Sequence, residues 1–346
     1  MDLAEGLKAS LRAADRRLDK SVFCYPHAAD MRAAAILGLS SSEKNLAPFK
    51  RESTATWTVG VPASSSAADA ILIFGGDGTV HRHLAQLVRL QLPVLVVPRG
   101  SGNDFARALN LRSVADALAA WRQFVSGGGK VRQIDLGVIT SLTTGAHSSP
   151  ETELQVSGNQ KSEAGSYYFC CVGGLGLDAE IARRANRLPS SIRRHGGYLL
   201  SLLPALCTFK PLSVKIRADD ASPPGDLAIR HNGPAMVVAF ANAPAYGDGI
   251  RIAPRAVLDD GKLDICVVGN MGKAHLLRLF PSVLSGRHLS IPEVKYLQTE
   301  RLRVETEQPM DVYADGEYVC RTPVEVSLKQ AALRVIVAAS KAAPIS

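Results

Sequence analysis

Apolar residues come in short blocks along this chain, and their spacing changes near its middle. Ala70–Phe74 and Val94–Val97 are unbroken apolar runs of strand length, and Val22–Cys24 is a shorter one. Val80, Leu84, Leu87 and Val88 recur at helical spacing, and Val114, Leu118, Trp121 and Val125 mark one face of another helix. Ser113 with Asp116 forms a capping-box pattern at the start of that helix, and the glycines at 127–129 stop it. Strand and helix therefore alternate from Ser21 to Leu136, which predicts a parallel sheet in an α/β domain.

Beyond residue 137 the pattern turns to β. Tyr167–Val172, Leu212–Arg217, Ala235–Ala241, Leu263–Val268, Arg301–Thr306 and Leu333–Val337 are rich in β-branched residues and bounded by turn residues. An antiparallel sheet or sandwich has this texture. Two helical patches interrupt it, Asp178–Asn186 and Gly272–Leu284. The stretch 140–166 is polar, small and aperiodic, and reads as a flexible loop. The division predicted is an α/β domain over 1–136 and a β-rich domain over 137–322.

Composition narrows the class. With 346 residues the chain can bury two cores, and 46% hydrophobic against 21% charged residues describes a soluble globular protein. An aromatic content of 5% weighs against base stacking on nucleic acid. The net charge of +8 favours an anionic partner such as a nucleotide, a phosphate or an acidic membrane surface. The six cysteines, at 24, 170, 171, 207, 266 and 320, show no CxxC or zinc spacing and read as reduced thiols in a cytoplasmic protein. The first twenty residues mix charges and carry no apolar core, so they do not read as a signal peptide. The apolar run Tyr198–Phe209 is interrupted by Pro204 and falls short of the about 20 residues a bilayer requires.

Candidate chemistry begins at Gly75-Gly76-Asp77-Gly78-Thr79, which ends a buried strand and opens a helix. It has neither the lysine of a Walker loop nor the spacing of a dinucleotide fingerprint. Glycines at such a corner still expose backbone N–H groups to an anion. An aspartate among them repels phosphate unless a cation or water intervenes, which suggests Mg²⁺ with a nucleotide; the alternative is a plain corner capped by Asp77. Pro98-Arg99-Gly100-Ser101-Gly102-Asn103-Asp104 repeats the design after the next strand. In a doubly wound sheet the two loops would face each other across one crevice.

Gly-Gly-Asp-Gly-Thr followed by Pro-x-Gly-Ser-x-Asn-Asp-Phe-Ala-Arg resembles the catalytic domain of the diacylglycerol kinases, a superfamily that includes bacterial lipid kinases, ceramide kinases and sphingosine kinases. GGDG alone is shared with NAD kinases and phosphofructokinases; the second motif separates them. The likeness continues through Gly173–Asn186, Asn242–Val268, Gly286–Leu289 and Ala314–Glu317. It implies an N-terminal three-layer α/β nucleotide-binding domain and a C-terminal β-sandwich-like domain, with residues 323–346 packing back on the first. It further implies an ATP-dependent kinase acting on the hydroxyl of a diacylglycerol-like or sphingoid lipid, cytoplasmic, in peripheral contact with an anionic membrane and open to forming a homodimer.

By that resemblance Gly75, Gly76, Asp77, Gly78, Thr79, Gly100, Ser101, Gly102, Asn103 and Asp104 hold ATP. Asp77 and Asp104 act on the catalytic Mg²⁺ through water. Asp315 or Glu317 accepts the proton of the lipid hydroxyl; from sequence alone Asp315-Gly316 could equally be a hairpin turn. A structural Mg²⁺ is expected on Asp260 with the carbonyls of Leu263 and Ile265, against the alternative of a bare turn. Arg183, Arg184, Arg187, Arg193 and Arg194, ahead of the apolar run, are candidates for membrane contact.

The family's Asn-Pro-x-Ser-Gly loop is read at Tyr25–Asp30, where Pro26 stands without the Asn or Gly. Thr54 or Thr56 is the nearest ribose-side candidate. The departure motivates a second reading, a lipid-binding protein with weak catalysis, and a third is a kinase of a soluble substrate such as NAD.

Overall fold

The computed structural model describes residues 31–143, 165–189, 197–219, 227–247 and 249–338. Its N-terminal half runs β1 (Arg32–Leu37), α1 (Ala47–Arg51), β2 (Thr56–Val59), β3 (Ala70–Gly75), α2 (Asp77–Leu90), β4 (Val94–Pro98), α3 (Asp104–Ala108) and α4 (Val114–Val125). The strands are parallel in the order β2-β1-β3-β4. From β1 the chain steps one way to β2 and then crosses to β3 on the other side. The strand order reverses there, which opens a crevice at the carboxyl ends of β1 and β3.

Val22–Cys24, expected as the first strand, lies outside the described residues. The place beside β3 belongs to Arg32–Leu37, with Ala33 opposite Ala70 and Leu37 opposite Phe74. Its Ala-Ala-Ala core has little intrinsic strand preference. The small side chains are instead fully buried in the sheet, so pairing decides the conformation. In α4 the Ser113 side chain accepts the Asp116 N–H at 3.1 Å, as the capping pattern predicts. Trp121 on the same helix is buried and donates its indole N–H to Phe49 O, fastening α4 to α1.

The C-terminal half runs β5 (Lys130–Ser141), β6 (Tyr167–Phe169), β7 (Val172–Gly176), α5 (Leu177–Asn186), α6 (Gly197–Thr208), β8 (Leu212–Asp219), β9 (Leu227–Ala241) and β10 (Leu263–Gly269). It continues through α7 (Lys273–Ser285), β11 (Val294–Thr299), β12 (Arg301–Thr306), β13 (Asp311–Ala314), β14 (Glu317–Arg321) and β15 (Val324–Val337). The pairing is antiparallel in the order β14-β13-β7-β9-β8-β12-β15, with β10 and β11 branching from β9 and β5 and β6 from β15. Val238, Phe240, Ile265, Val267, Leu302 and Val304 point into a core of the β layer. The alternate residues Ala239, Ala241, Cys266 and Val268 face a second core shared with α5 and α6.

Two sequence expectations are corrected here. Tyr167–Val172 is not one strand, because it breaks at Cys170-Cys171, whose N–H groups donate to a side chain instead of a neighbouring strand. The polar loop does not begin at Thr140: Thr140 and Ser141 pair with Glu325 and Val324, and Thr140 Oγ1 meets Ser166 Oγ at 2.8 Å. The remainder of that loop, 144–164, lies outside the described residues.

The two halves share strands. β5 and β15 pair continuously from Ser141↔Val324 to Lys130↔Val337, and the end of β15 also pairs with β4 at Val335↔Val94. A bulge between Lys329 and Leu333 bends the ribbon where it leaves one layer for the other. Buried Asp135 braces the bend: its carboxylate accepts Ala331 N at 2.7 Å and Gly261 N at 2.9 Å. Among the described residues no helix is long and apolar enough to cross a membrane.

Candidate active site

The carboxyl end of β3 runs into α2 with Gly76 as the residue before the first turn. The Gly75–Thr79 and Gly100–Asp104 loops do not face each other across a gap, as the sequence suggested. They touch. A Cβ on Gly100 would lie 2.5 Å from Gly76 Cα, and one on Gly76 would lie 2.8 Å from Gly100 Cα. Glycine is required at both positions because two backbones meet there. Arg99 N donates to Gly75 O at 3.0 Å, and the Asn103 side chain closes its own loop on Gly100 N and O. The two motifs form one continuous wall.

Asp77 joins them. Its two carboxylate oxygens accept the N–H groups of Asp104 and Phe105, each at 3.0 Å, at the start of α3. Burial, with Asp104 and Asp315 as further negative charges, pushes the Asp77 carboxyl up to about 6. Asp104 is buried beside it and accepts a hydrogen bond from Arg107. Two crowded carboxylates with this much negative charge around them form an oxygen-donor set that suits Mg²⁺.

At the end of β1, Gly38 packs against Gly75 and Thr79 and donates its N–H to Phe74 O at 2.9 Å. The loop that enters the crevice from the first strand is therefore the one starting at Gly38. Tyr25–Asp30, read as that loop from the sequence, lies outside the described residues. Thr54 and Thr56 are corrected. Thr56 pairs with Arg32 at the opposite end of β1, about 16 Å from Leu37 at ~3.3 Å per residue.

The Asp315-Gly316-Glu317 turn meets this wall from the β-rich half. Asp315, at φ +49°, is fully buried and saturated. It accepts Cys170 N and Cys171 N at 2.8 Å, Val172 N at 3.3 Å and the Cys170 thiol at 3.3 Å, and it pairs with His81 Nδ1 at 3.1 Å. Burial pulls its carboxyl up, but His81 and the backbone donors outweigh that and leave it below the ordinary carboxylate value. Cys170, Cys171 and Asp315 also sit close enough to share a metal, a grouping that sequence spacing does not reveal. The Asp315 oxygens are already taken by donors, and burial holds the Cys170 thiol far above its usual value, hence protonated. Glu317 opens β14 half-buried, and its Oε1 would lie 3.3 Å from a Cβ on Gly78. The two carboxylates thus separate: Asp315 anchors the turn, and Glu317 faces the start of α2.

A residue that sequence reasoning missed is Asp178, although its segment stood out. It is buried at the start of α5, its Oδ1 accepts the Tyr246 hydroxyl at 2.5 Å, and burial raises its carboxyl to about 7. The pair closes the polar end of a small apolar pocket of about 70 Å³, partly open to solvent, between α5, α6, α7 and the β9–β10 face. Leu177, Ile181, Leu206, Val268, Leu276 and Phe280 line it. Burial and the Asp178 charge hold the Tyr246 hydroxyl well above its ordinary value.

Of the residues expected to hold a structural Mg²⁺, Leu263 and Ile265 lie in β10, where they pair with Thr299 and Leu297 of β11. Asp260 turns back onto Lys262 N at 3.0 Å. Nearby Asp264 is buried, with its Oδ2 lacking a hydrogen-bond partner. Of the arginines expected at a membrane, Arg183 and Arg184 both pair with Glu180, Arg187 is exposed, and Arg193 and Arg194 lie outside the described residues.

Comparison with known proteins agrees with this geometry. The diacylglycerol kinase catalytic domain matches residues 40–139, and the YegS C-terminal NAD kinase beta sandwich-like domain matches residues 172–337. A diacylglycerol kinase of Mycobacterium tuberculosis is 30% identical over 277 residues, covering 79% of this chain and 78% of that protein. One from Bacillus subtilis is 28% identical over 262 residues, covering 74% of each. A crystal structure of a diacylglycerol kinase from Bacillus anthracis superposes with a TM-score of 0.59 at 18% identity, over 89% of this chain and 97% of that one. An α/β nucleotide-type half joined to this β sandwich defines a kinase. The chain belongs to the diacylglycerol kinase family, among the lipid kinases.

Proposed function

We propose that the protein transfers the γ-phosphoryl group of ATP to the hydroxyl of a diacylglycerol-like or sphingoid lipid at the cytoplasmic face of a membrane. The observation that carries this reading is the meeting of Glu317 with Gly78. It sets a half-buried carboxylate beside the N-terminus of a fourteen-residue helix that opens the glycine wall. The free N–H groups at that helix start favour phosphate, and the helix dipole adds to the attraction. The close contact of Gly76 with Gly100 keeps the wall thin enough for phosphates to approach the backbone on both loops.

Glu317 accepts the proton of the attacking hydroxyl, a role that Asp315, with its oxygens filled by donors, supports only by holding the turn. Asp77 and Asp104 would hold Mg²⁺ through water, and when bound it supplies the positive charge that offsets the transferring phosphoryl group. The apolar pocket offers a seat for part of an acyl or sphingoid chain, with the Asp178–Tyr246 pair at its polar end. Gly38, a glycine that does stand against the wall, weighs against the weak-catalysis reading. Incubation with γ-labelled ATP, Mg²⁺ and a panel of lipid alcohols, with NAD as a control, tests the proposal. Label in the lipid fraction supports it; label in NAD or nowhere overturns it.

A further inference from the structure

α6 carries apolar residues all round, and such a helix is normally enclosed on every side. Here one side is enclosed and the other is not. Leu202, Ala205 and Leu206 are buried, whereas Leu200 and Leu203 are 61% and 55% exposed, with Pro204 and Cys207 open on the same stripe. α7 repeats the arrangement: Leu276 and Phe280 turn into the pocket, while Leu277 and Leu284 are 44% and 48% exposed beside exposed Arg278 and Pro281. Lys273 at the start of α7 donates to Cys207 O on α6 at 2.6 Å, which ties the two helices into one surface. Leu277 both lines the apolar pocket and reaches solvent, so the surface surrounds the pocket mouth.

Charge identifies what covers it. Neither helix contains a carboxylate; exposed Lys210 follows α6 closely, Lys273 opens α7, Arg278 lies within it and Arg287 just follows it. Apolar side chains rimmed by cations suit an anionic bilayer, where the leucines enter the acyl boundary and the cations meet headgroups. A partner helix would have to bring its own negative rim.

We propose that the exposed faces of α6 and α7 dock on an anionic lipid surface and set the pocket mouth against it. This extends the lipid-kinase reading, since a lipid acceptor then enters the pocket from the bilayer without crossing water. It adds leucines on two other helices to the arginines expected at the membrane.

The test is flotation with phosphatidylcholine vesicles containing about one-third phosphatidylglycerol, with no diacylglycerol and no ATP. The full chain should float with these vesicles and stay behind with pure phosphatidylcholine. Leu200→Ser with Leu203→Ser and Leu284→Ser, none of which lines the pocket, should weaken binding by about tenfold or more at unchanged melting temperature. Arg278→Glu with Arg287→Glu should lower binding as well, and guards against a folding defect in the leucine variant. Failure of the natural chain to float, or equal flotation of both variants, overturns the proposal. So does a leucine variant that merely turns a dimer into a monomer without changing flotation. Phosphorylation of detergent-dispersed lipid separates the two claims: activity without flotation removes docking alone, and flotation without activity removes the kinase reading alone.

Discussion

Glu317 and Gly78 come from opposite halves of the chain and meet where the lack of a side chain on Gly78 leaves room for the carboxylate. The neighbouring Asp315 spends its oxygens on backbone donors. Substitution should therefore split the two carboxylates. Glu317→Gln is expected to reduce kcat by about 10²-fold or more while the melting temperature and ATP affinity stay put. Asp315→Ala leaves Cys170 N and Cys171 N without an acceptor in the interior and is expected to cost about 3–5 kcal/mol of stability. Thermal melts alongside steady-state kinetics distinguish them; a melting shift for Glu317→Gln equal to that of Asp315→Ala would overturn the division of roles.

Gly100→Ala tests the single wall. The new methyl would sit 2.5 Å from Gly76 Cα, and backbone on both sides cannot yield without parting the loops. A loss of about 1–3 kcal/mol in stability is expected, with weaker binding of a non-hydrolysable ATP analogue in calorimetry. Retained nucleotide affinity would mean that the contact does not shape the site.

The Asp178 carboxyl, raised by burial to about 7, gives a pH dependence with a definite sign. A carboxyl whose folded pKa exceeds its unfolded value near 3.8 favours the folded state while protonated, and this contribution falls away as pH rises from about 4 to 7. Asp178→Asn keeps an acceptor for the Tyr246 hydroxyl and removes the buried charge. The variant should melt higher than the natural protein at pH 8, by an amount on the order of 2–4 kcal/mol, with the gap closing toward pH 4. A gap independent of pH would argue against the ionisation.

Val268→Phe should fill the apolar pocket from the sheet side. The expected result is a higher KM for long-chain lipids, a smaller effect on short-chain ones and unchanged ATP affinity, read from a chain-length series. An equal effect on all chain lengths would place the acyl chain elsewhere.

Much of the wall was legible because its chemistry is local. Gly75–Thr79 and Gly100–Asp104 announce strand, turn and helix within a few residues, and Ser113 announces α4. What stayed hidden depends on distant pairing. Ala33–Ala35 become a strand only because β3 lies beside them, so Gly38 was not read as part of the crevice. Thr54 and Thr56 looked near the nucleotide until the direction of β2 placed them at the far end of the sheet. Asp178 gave no signal of its own; its raised carboxyl comes from the helices and strands that bury it.

The ribbon formed by β5 and β15 has a consequence for how this enzyme can be taken apart. Each half borrows part of two strands from the other, and the last strand of the parallel layer arrives from the end of the described chain. Cutting at the compositional boundary near residue 137 would sever β5 in mid-strand and leave two raw sheet edges. The halves are thus poor candidates for separate expression or for exchange with those of a relative. A chimera would have to carry residues 130–141 and 324–337 together, as one inherited unit.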